Sequence, residues 1–282
     1  MNEKESASNV CISLKIFFTH YLLYFLHLLY TTMNNKEIPL KVPHEEVALL
    51  SIDNTQWFEN KSLNELYVRE WEMASKATKE IVDLCKRFWI QIINVFDNHP
   101  YGHVLFAANY KDKMPYDLIS FDEVNNRTEQ DNWIWERAGF SLQELKAHLS
   151  WVWSEVLWPD HCIQWTQWAS LMSPLSNSDF DINIPKWETI VSSWYSWFDH
   201  TNLDEILKKW NKKVLLLSGV ATDYCVWQTA IDAKNLWYEP ILLAGAVRGV
   251  APETTVDMVS KLKSLWIQIM TKEGLLKLLK FD

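Results

Sequence analysis

The sequence predicts an α/β fold: a three-layer α/β/α domain built on a mainly parallel, Rossmann-like sheet. Short apolar runs of strand length alternate with longer segments of helical apolar spacing, an order that gives one parallel sheet with helices on both faces. The runs are continuously apolar rather than alternating, as strands buried on both faces are. Polar residues able to do chemistry follow several runs directly, where open α/β sheets place their sites.

Taken in order, Val47–Ile52 is the first strand, with Asp53 at its carboxyl end. Residues 75–88 place Ala77, Ile81, Leu84, Cys85 and Phe88 on one helical face, and residues 90–96 form the next strand, followed by Asp97 and His99. A helix over 141–149 opens on the capping-box pattern Ser141-x-x-Glu144, and Leu203–Lys209 is another helix. The run Val214-Leu-Leu-Leu217 leads into Ser218-Gly-Val-Ala-Thr-Asp-Tyr-Cys225, after which residues 229–236 have helical composition. Strands at 240–243 and 267–270, with a helix over 253–265 between them, complete the alternation. No internal repeat or low-complexity tract interrupts it.

At 282 residues the chain is long enough for one α/β domain with a large core. A net charge of -9, with no local cluster of Lys and Arg, excludes a phosphate-tracking surface, so no nucleic acid is expected as partner. The four cysteines are scattered without a disulfide framework, which fits a reducing, cytoplasmic setting. Residues 10–30 are the dissenting segment, apolar and near the length of a membrane span but containing Lys15, His20 and His27. Residues 1–32 are read as a hydrophobic N-terminal extension: a start assigned too early before Met33, an anchor, or an amphipathic appendage. Membrane contact is expected only if 10–30 is a true anchor. Residues 33–282 are the domain.

Cys225 is delivered beyond the carboxyl end of a buried strand and at the start of a helix, where the macrodipole favours a thiolate. Two readings fit that segment alone: a nucleophile, or a buried structural cysteine. Asp97-x-His99 puts two metal-ligand side chains on one side of an extended segment, and His161 of Leu157-Trp-Pro-Asp-His161 supplies a third. One carboxylate and two imidazoles leave coordination positions open, the style of a catalytic rather than a structural site. His103 is either a fourth ligand or an outer hydrogen-bond partner.

Together the segments Leu50-Ser-Ile-Asp-Asn-Thr-Gln56, Asp97-Asn-His-Pro-Tyr-Gly-His103, Phe106-Ala-Ala-Asn109, Leu157-Trp-Pro-Asp-His-Cys162, Lys186 and Gly219-Val-Ala-Thr-Asp-Tyr-Cys225 resemble, in order, the nicotinamidase branch of the isochorismatase-like cysteine hydrolases. The resemblance runs from about residue 45 to residue 272. It implies an amidohydrolase acting on a linear amide, converting nicotinamide to nicotinate and ammonia in NAD salvage. The rivals are hydrolysis of another small amide or vinyl ether, and a catalytically silent binding module. Within the resemblance Cys225 is the nucleophile, Asp53 the general base, and Lys186 the cation stabilising both Asp53 and the thiolate. The N–H groups of Ala221 and Cys225 form the oxyanion hole beside a cis Val220–Ala221 peptide. Phe58 and Trp158 sandwich the substrate ring, with Gln56 and Tyr224 as neighbours. The cofactor implied at Asp97, His99 and His161 is one divalent transition metal, zinc by preference or else iron or manganese, contacting the pyridine nitrogen. Monomer and homo-oligomer are both left open.

The composition is inverted in one respect: 17 tryptophans against 6 glycines, where glycine ordinarily makes up about 7% of residues. Trp89, Trp237 and Trp266 stand between a helix and a strand, where glycine commonly ends the helix. Trp165, Trp168, Trp187, Trp194 and Trp197 stand beside His161 and Lys186, and of all the tryptophans only Trp158 matches the family pattern. The expectation is that the others are glycines encoded by UGA and translated as tryptophan.

Overall fold

The computed structural model describes residues 43–59, 66–166 and 170–279. The N-terminal extension, Trp168 and the Met33 boundary lie outside them. Six strands form one parallel sheet in the order β5-β2-β1-β6-β7-β8. They are β1 (Val47–Ile52), β2 (Gln91–Asn98), β5 (Ile182–Trp187), β6 (Val214–Val220), β7 (Glu239–Arg248) and β8 (Gln268–Met270). A two-stranded antiparallel pair, β3 (Leu118–Ser120) and β4 (Ser154–Val156), lies apart from it.

The helices are α1 (Trp71–Arg87), α2 (Phe121–Asn125), α3 (Leu142–Val152), α4 (Leu203–Lys209), α5 (Cys225–Asn235), α6 (Pro252–Ser264) and α7 (Lys272–Leu279). Because successive side chains of a strand point to opposite faces, β1 divides its apolar residues between two cores. Leu49 joins Ile92, Leu216 and Ile241 under Ile81 and Leu84 of α1 and Leu275 of α7. Leu50 and Ile52 join Leu215 and Leu217 under Leu207 of α4, Val226 and Ala230 of α5, and Leu262 of α6. These are the three expected layers. Emptying one such position, for instance Leu50→Ala, costs about 2–5 kcal/mol.

Several boundaries differ from the sequence reading. β2 runs to Asn98, so Asp97 lies within the strand rather than after it. α1 begins four residues earlier than expected, and β7 continues to Arg248. The capping box of α3 is present as read: Ser141 Oγ accepts from Glu144 N–H at 3.2 Å, and Ser141 N–H donates to Glu144 Oε2 at 2.7 Å. β5 was not anticipated, and it contains Pro185, which lacks a ladder donor. It is the edge strand beside β2, so the missing N–H breaks no ladder.

The order also explains where the site lies. From β1 the chain moves outward through β2 to β5, then returns to β6 on the other side of β1 and moves outward again. The carboxyl ends of β1 and β6 therefore flank the point where the winding reverses, the place where such sheets hold their ligands. Gly219 is needed at that point: its φ is 112°, and a Cβ there would sit 1.8 Å from Ile52 O, so only glycine lets β6 approach β1 just below Asp53.

Candidate active site

Asp53 leaves β1 with φ 51°, and its buried carboxylate accepts the Asp97 N–H on Oδ1 at 2.9 Å. Its Oδ2 is buried and has no hydrogen-bond partner among the described residues. Cys225 is the first residue of α5, so its N–H has no intrahelical acceptor. The oxygens of Asp53 and Asp97 and the sulfur of Cys225 lie within 4.8 Å of one another. Burial first, then Asp53 and Asp97, push the Cys225 thiol well above its ordinary value, while Lys186 opposes them. The helix terminus favours a thiolate, but burial and the two carboxylates favour the thiol more strongly, so attack by this sulfur calls for the base that the resemblance assigns to Asp53. Asp53 is suited to that task, since burial and the neighbouring Asp97 raise its pKa well above the usual carboxylate range.

Lys186 stands opposite Asp97 in the register of β5 against β2. Its side chain is fully buried, with Nζ 3.8 Å from Asp97 Oδ1, donating to Trp194 O at 2.5 Å and lying 4.4 Å from the centre of the Trp197 ring. Burial disfavours its charge, but Asp97, Glu188, Cys225 and Asp53 outweigh that, so the ammonium is held firmly. Its direct ionic contact is with Asp97; it acts on Asp53 through the field.

The proposed metal ligands gather beside this group. His99 Nδ1 is 3.0 Å from Glu188 Oε2, and its Nε2 lies 3.9 Å from Asp97 Oδ2. His161 Nδ1 is 2.8 Å from Pro159 O, and the two imidazole centres are 4.9 Å apart. With Nδ1 of each ring set against an oxygen, Nε2 is the nitrogen left to face a metal; at His99 burial lowers the pKa, but Glu188 and Asp97 outweigh it and the net shift is upward. Burial and the nearby His99 keep His161 neutral, with its pKa pushed down to about 3. His99 Nε2 and Asp97 Oδ1 are buried polar atoms without a hydrogen-bond partner among the described residues, which a bound cation would satisfy. The donor set therefore fits a divalent transition metal. His103 Nδ1 accepts from Leu105 N–H at 3.4 Å, and its Nε2 lies 3.1 Å from Glu188 and 3.2 Å from Ser192 Oγ; ligand atoms of His99, His103 and Glu188 lie within 4.8 Å of one another, so His103 also stands in a group able to hold a cation.

A pocket opens onto Asp97, His99, His161 and Cys225, and Phe58, Trp158, Ala221 and Tyr224 are among its walls. Trp158 meets Tyr224 edge-on at 4.7 Å and donates its indole N–H to Tyr195 Oη at 3.2 Å, which fixes the ring. Gln56, expected nearby, is not among the lining residues; its Nε2 donates to Leu171 O at 3.3 Å. The Val220–Ala221 peptide is cis.

Residues 154–274 match the family model for the isochorismatase domain. The nicotinamidase of Escherichia coli K12 is 34% identical over 191 residues, which is 66% of this chain and 76% of that relative. The chain belongs to the nicotinamidase branch of the isochorismatase-like hydrolases. Among solved structures, the yeast nicotinamidase bound to the inhibitor nicotinaldehyde superposes on this isochorismatase-like hydrolase with a TM-score of 0.60 at 25% identity, covering 80% of this chain and 100% of that one. The pyrazinamidase of Pyrococcus horikoshii in complex with zinc gives a TM-score of 0.58 at 26% identity, covering 80% and 99%.

One residue of this hydrolase's site was missed by the sequence reading. Glu188 is buried, 3.0 Å from His99 and 3.1 Å from His103, and accepts from Ser192 Oγ at 3.0 Å. Burial would raise its pKa, but the two imidazoles hold it well below the usual range. The signal was available: Glu188 lies two residues after Lys186, the spacing that keeps strand side chains on one face. It went unused because no strand was read over residues 182–187.

Proposed function

We propose that this chain is a metal-dependent nicotinamidase that hydrolyses nicotinamide to nicotinate and ammonia through a thioester at Cys225, a step of NAD salvage. The observation that carries the reading is the convergence of Asp53, Lys186 and Cys225 around Asp97 at the winding reversal, with Cys225 opening into an aromatic-walled pocket that Asp97, His99 and His161 also line.

Asp53 takes the thiol proton as Cys225 Sγ attacks the amide carbon, so the charge passes from thiol to carbonyl oxygen within a dry site. The N–H groups of Ala221 and Cys225 are the donors for that oxygen. Asp53 returns the proton to the leaving nitrogen, the C–N bond breaks, and ammonia departs, leaving the thioester. A water molecule, deprotonated by Asp53, then attacks the same carbon; the C–S bond breaks and the thiolate takes the proton back. Lys186 keeps the two buried carboxylates from repelling the transient thiolate. Phe58 and Trp158 hold the ring between them. A divalent metal on Asp97, His99 and His161, by preference zinc and otherwise iron or manganese, would supply a Lewis acid for the pyridine nitrogen.

The test is ammonia release from nicotinamide before and after chelation, with elemental analysis of the same samples. Activity and metal content should fall together and return together when metal is restored. An active preparation free of metal, or a metal-loaded one inert toward nicotinamide, refutes the reading.

A further inference from the structure

Among the described residues, twelve that are not glycine have positive φ, and five of these are tryptophan: Trp89 at 56°, Trp153 at 68°, Trp165 at 65°, Trp237 at 72° and Trp266 at 61°. The left-handed region crowds the Cβ of every L-residue, and apart from glycine it is visited mainly by Asn and Asp, whose short polar side chains bond locally. A bulky aromatic side chain has no such compensation.

Three of the five occupy the same structural position. After α1, Trp89 N–H donates to Lys86 O at 3.4 Å and Ile90 N–H to Cys85 O at 3.0 Å. After α5, Trp237 N–H donates to Lys234 O at 3.1 Å and Tyr238 N–H to Ala233 O at 2.9 Å. After α6, Trp266 N–H donates to Lys263 O at 3.0 Å and Ile267 N–H to Leu262 O at 3.0 Å. Each is the paired-bond helix stop whose left-handed residue is usually glycine and sometimes asparagine. The end of α4 supplies an internal comparison: Asn211 N–H donates to Lys208 O at 3.0 Å and Lys212 N–H to Leu207 O at 2.9 Å, with Asn211 at φ 51°. Here the ordinary alternative to glycine stands where the other three carry tryptophan.

Packing does not account for the indoles either. Trp89, Trp165, Trp237 and Trp266 are 89%, 87%, 93% and 85% exposed, so almost none of their apolar surface is buried to offset the backbone strain. Trp158, by contrast, is buried and hydrogen-bonded.

We infer that glycine is the native residue at 89, 153, 165, 237 and 266, and that the codon there is UGA, read as glycine in the cells that make this protein. The sequence alone suggested glycine at every tryptophan except Trp158. Backbone geometry favours it at these five, most strongly at the three helix stops, although Glu70, Tyr116, Cys162 and His200 also take positive φ; Trp133 and Trp197 do not. The inference does not depend on the substrate: it concerns the chain's own covalent structure.

Tandem mass spectrometry of peptides from the protein isolated from its own cells decides it. Peptides spanning 89, 237 and 266 are expected to carry glycine and that spanning 158 tryptophan, with UGA codons at the first three and UGG at the last. Tryptophan in the native peptides overturns the inference and leaves a set of exposed indoles at the amino-terminal edge of β2, β7 and β8, opposite the active site. In the recombinant chain, Trp89→Gly, Trp237→Gly and Trp266→Gly together should raise Tm by several degrees, whereas Trp89→Ala, Trp237→Ala and Trp266→Ala together should not, since alanine keeps the Cβ. An unchanged or lower Tm in the glycine variant overturns the geometric argument. If the chain as written fails to fold, the peptide masses still settle the matter.

Discussion

Replacing Lys186 with methionine removes the one cation that faces Asp53, Asp97 and Cys225 from β5 while keeping the shape of the side chain. The size of the effect follows from the geometry. With Nζ 3.8 Å from Asp97 Oδ1, the direct attraction is about 4 kcal/mol at an effective dielectric of about 20. The bond to Trp194 O adds about 1 kcal/mol. Relief from burying an ammonium offsets part of this, and breaking buried pairs typically costs about 3–5 kcal/mol because the partner is left charged and alone. A net loss of about 3 kcal/mol lowers Tm by about 6 °C or more in a chain of this length. A similar loss at the transition state, where the thiolate joins two carboxylates, lowers kcat/KM by about 10²-fold. The deficit should also depend on pH. Burial and Asp97 already raise Asp53 above its ordinary 3.8, and removing Lys186 raises it further. A group raised in the folded state contributes stability that is whole below its unfolded value and lost as pH climbs through its folded value. The Tm difference between variant and parent is therefore smallest near about pH 4 and grows toward about pH 8. Thermal melts across that range and initial rates of ammonia release measure both quantities. A variant with parental Tm and a rate within a few-fold of the parent, or a Tm deficit that ignores pH, refutes the electrostatic role given to Lys186.

Two further outcomes follow from the site. Cys225→Ala should abolish nicotinamide hydrolysis while leaving Tm close to the parent, because little volume is lost and a buried thiol opposed by two carboxylates is removed; substantial residual turnover would exclude the thioester. Glu188→Gln should weaken metal binding by about 10–100-fold, read by titrating apoprotein with zinc, since the uncharged amide no longer holds the Nδ1–H of His99 in place; parental affinity would show that Glu188 does not set that tautomer.

Much of the architecture was legible because it rests on local patterns. Apolar runs such as Val47–Ile52 and Val214-Leu-Leu-Leu217 declare buried parallel strands, and the residues just past them, Asp53 and Cys225, inherit the position where the winding reverses. Ser141 and Glu144 announce a helix start by spacing alone. Even the left-handed helix stops at 89, 237 and 266 were visible as tryptophans standing where glycine belongs, although their φ values had to come from the fold. Other features depended on neighbours distant in sequence. The strand β5 carries Pro185 and was not read from the sequence; it sits at the sheet edge, where a missing N–H is tolerated, and Glu188 follows it directly. Cys225 at a helix start suggested a thiolate, yet burial first, and then the carboxylates of Asp53 and Asp97, raise its pKa, because a site shut off from water disfavours the charged form. The sequence by itself determined which groups arrive at the carboxyl end of the sheet; which of them touch, and therefore which carry protons, was decided by packing across the sheet, since electrostatic energies depend on distances and burial that no linear spacing contains.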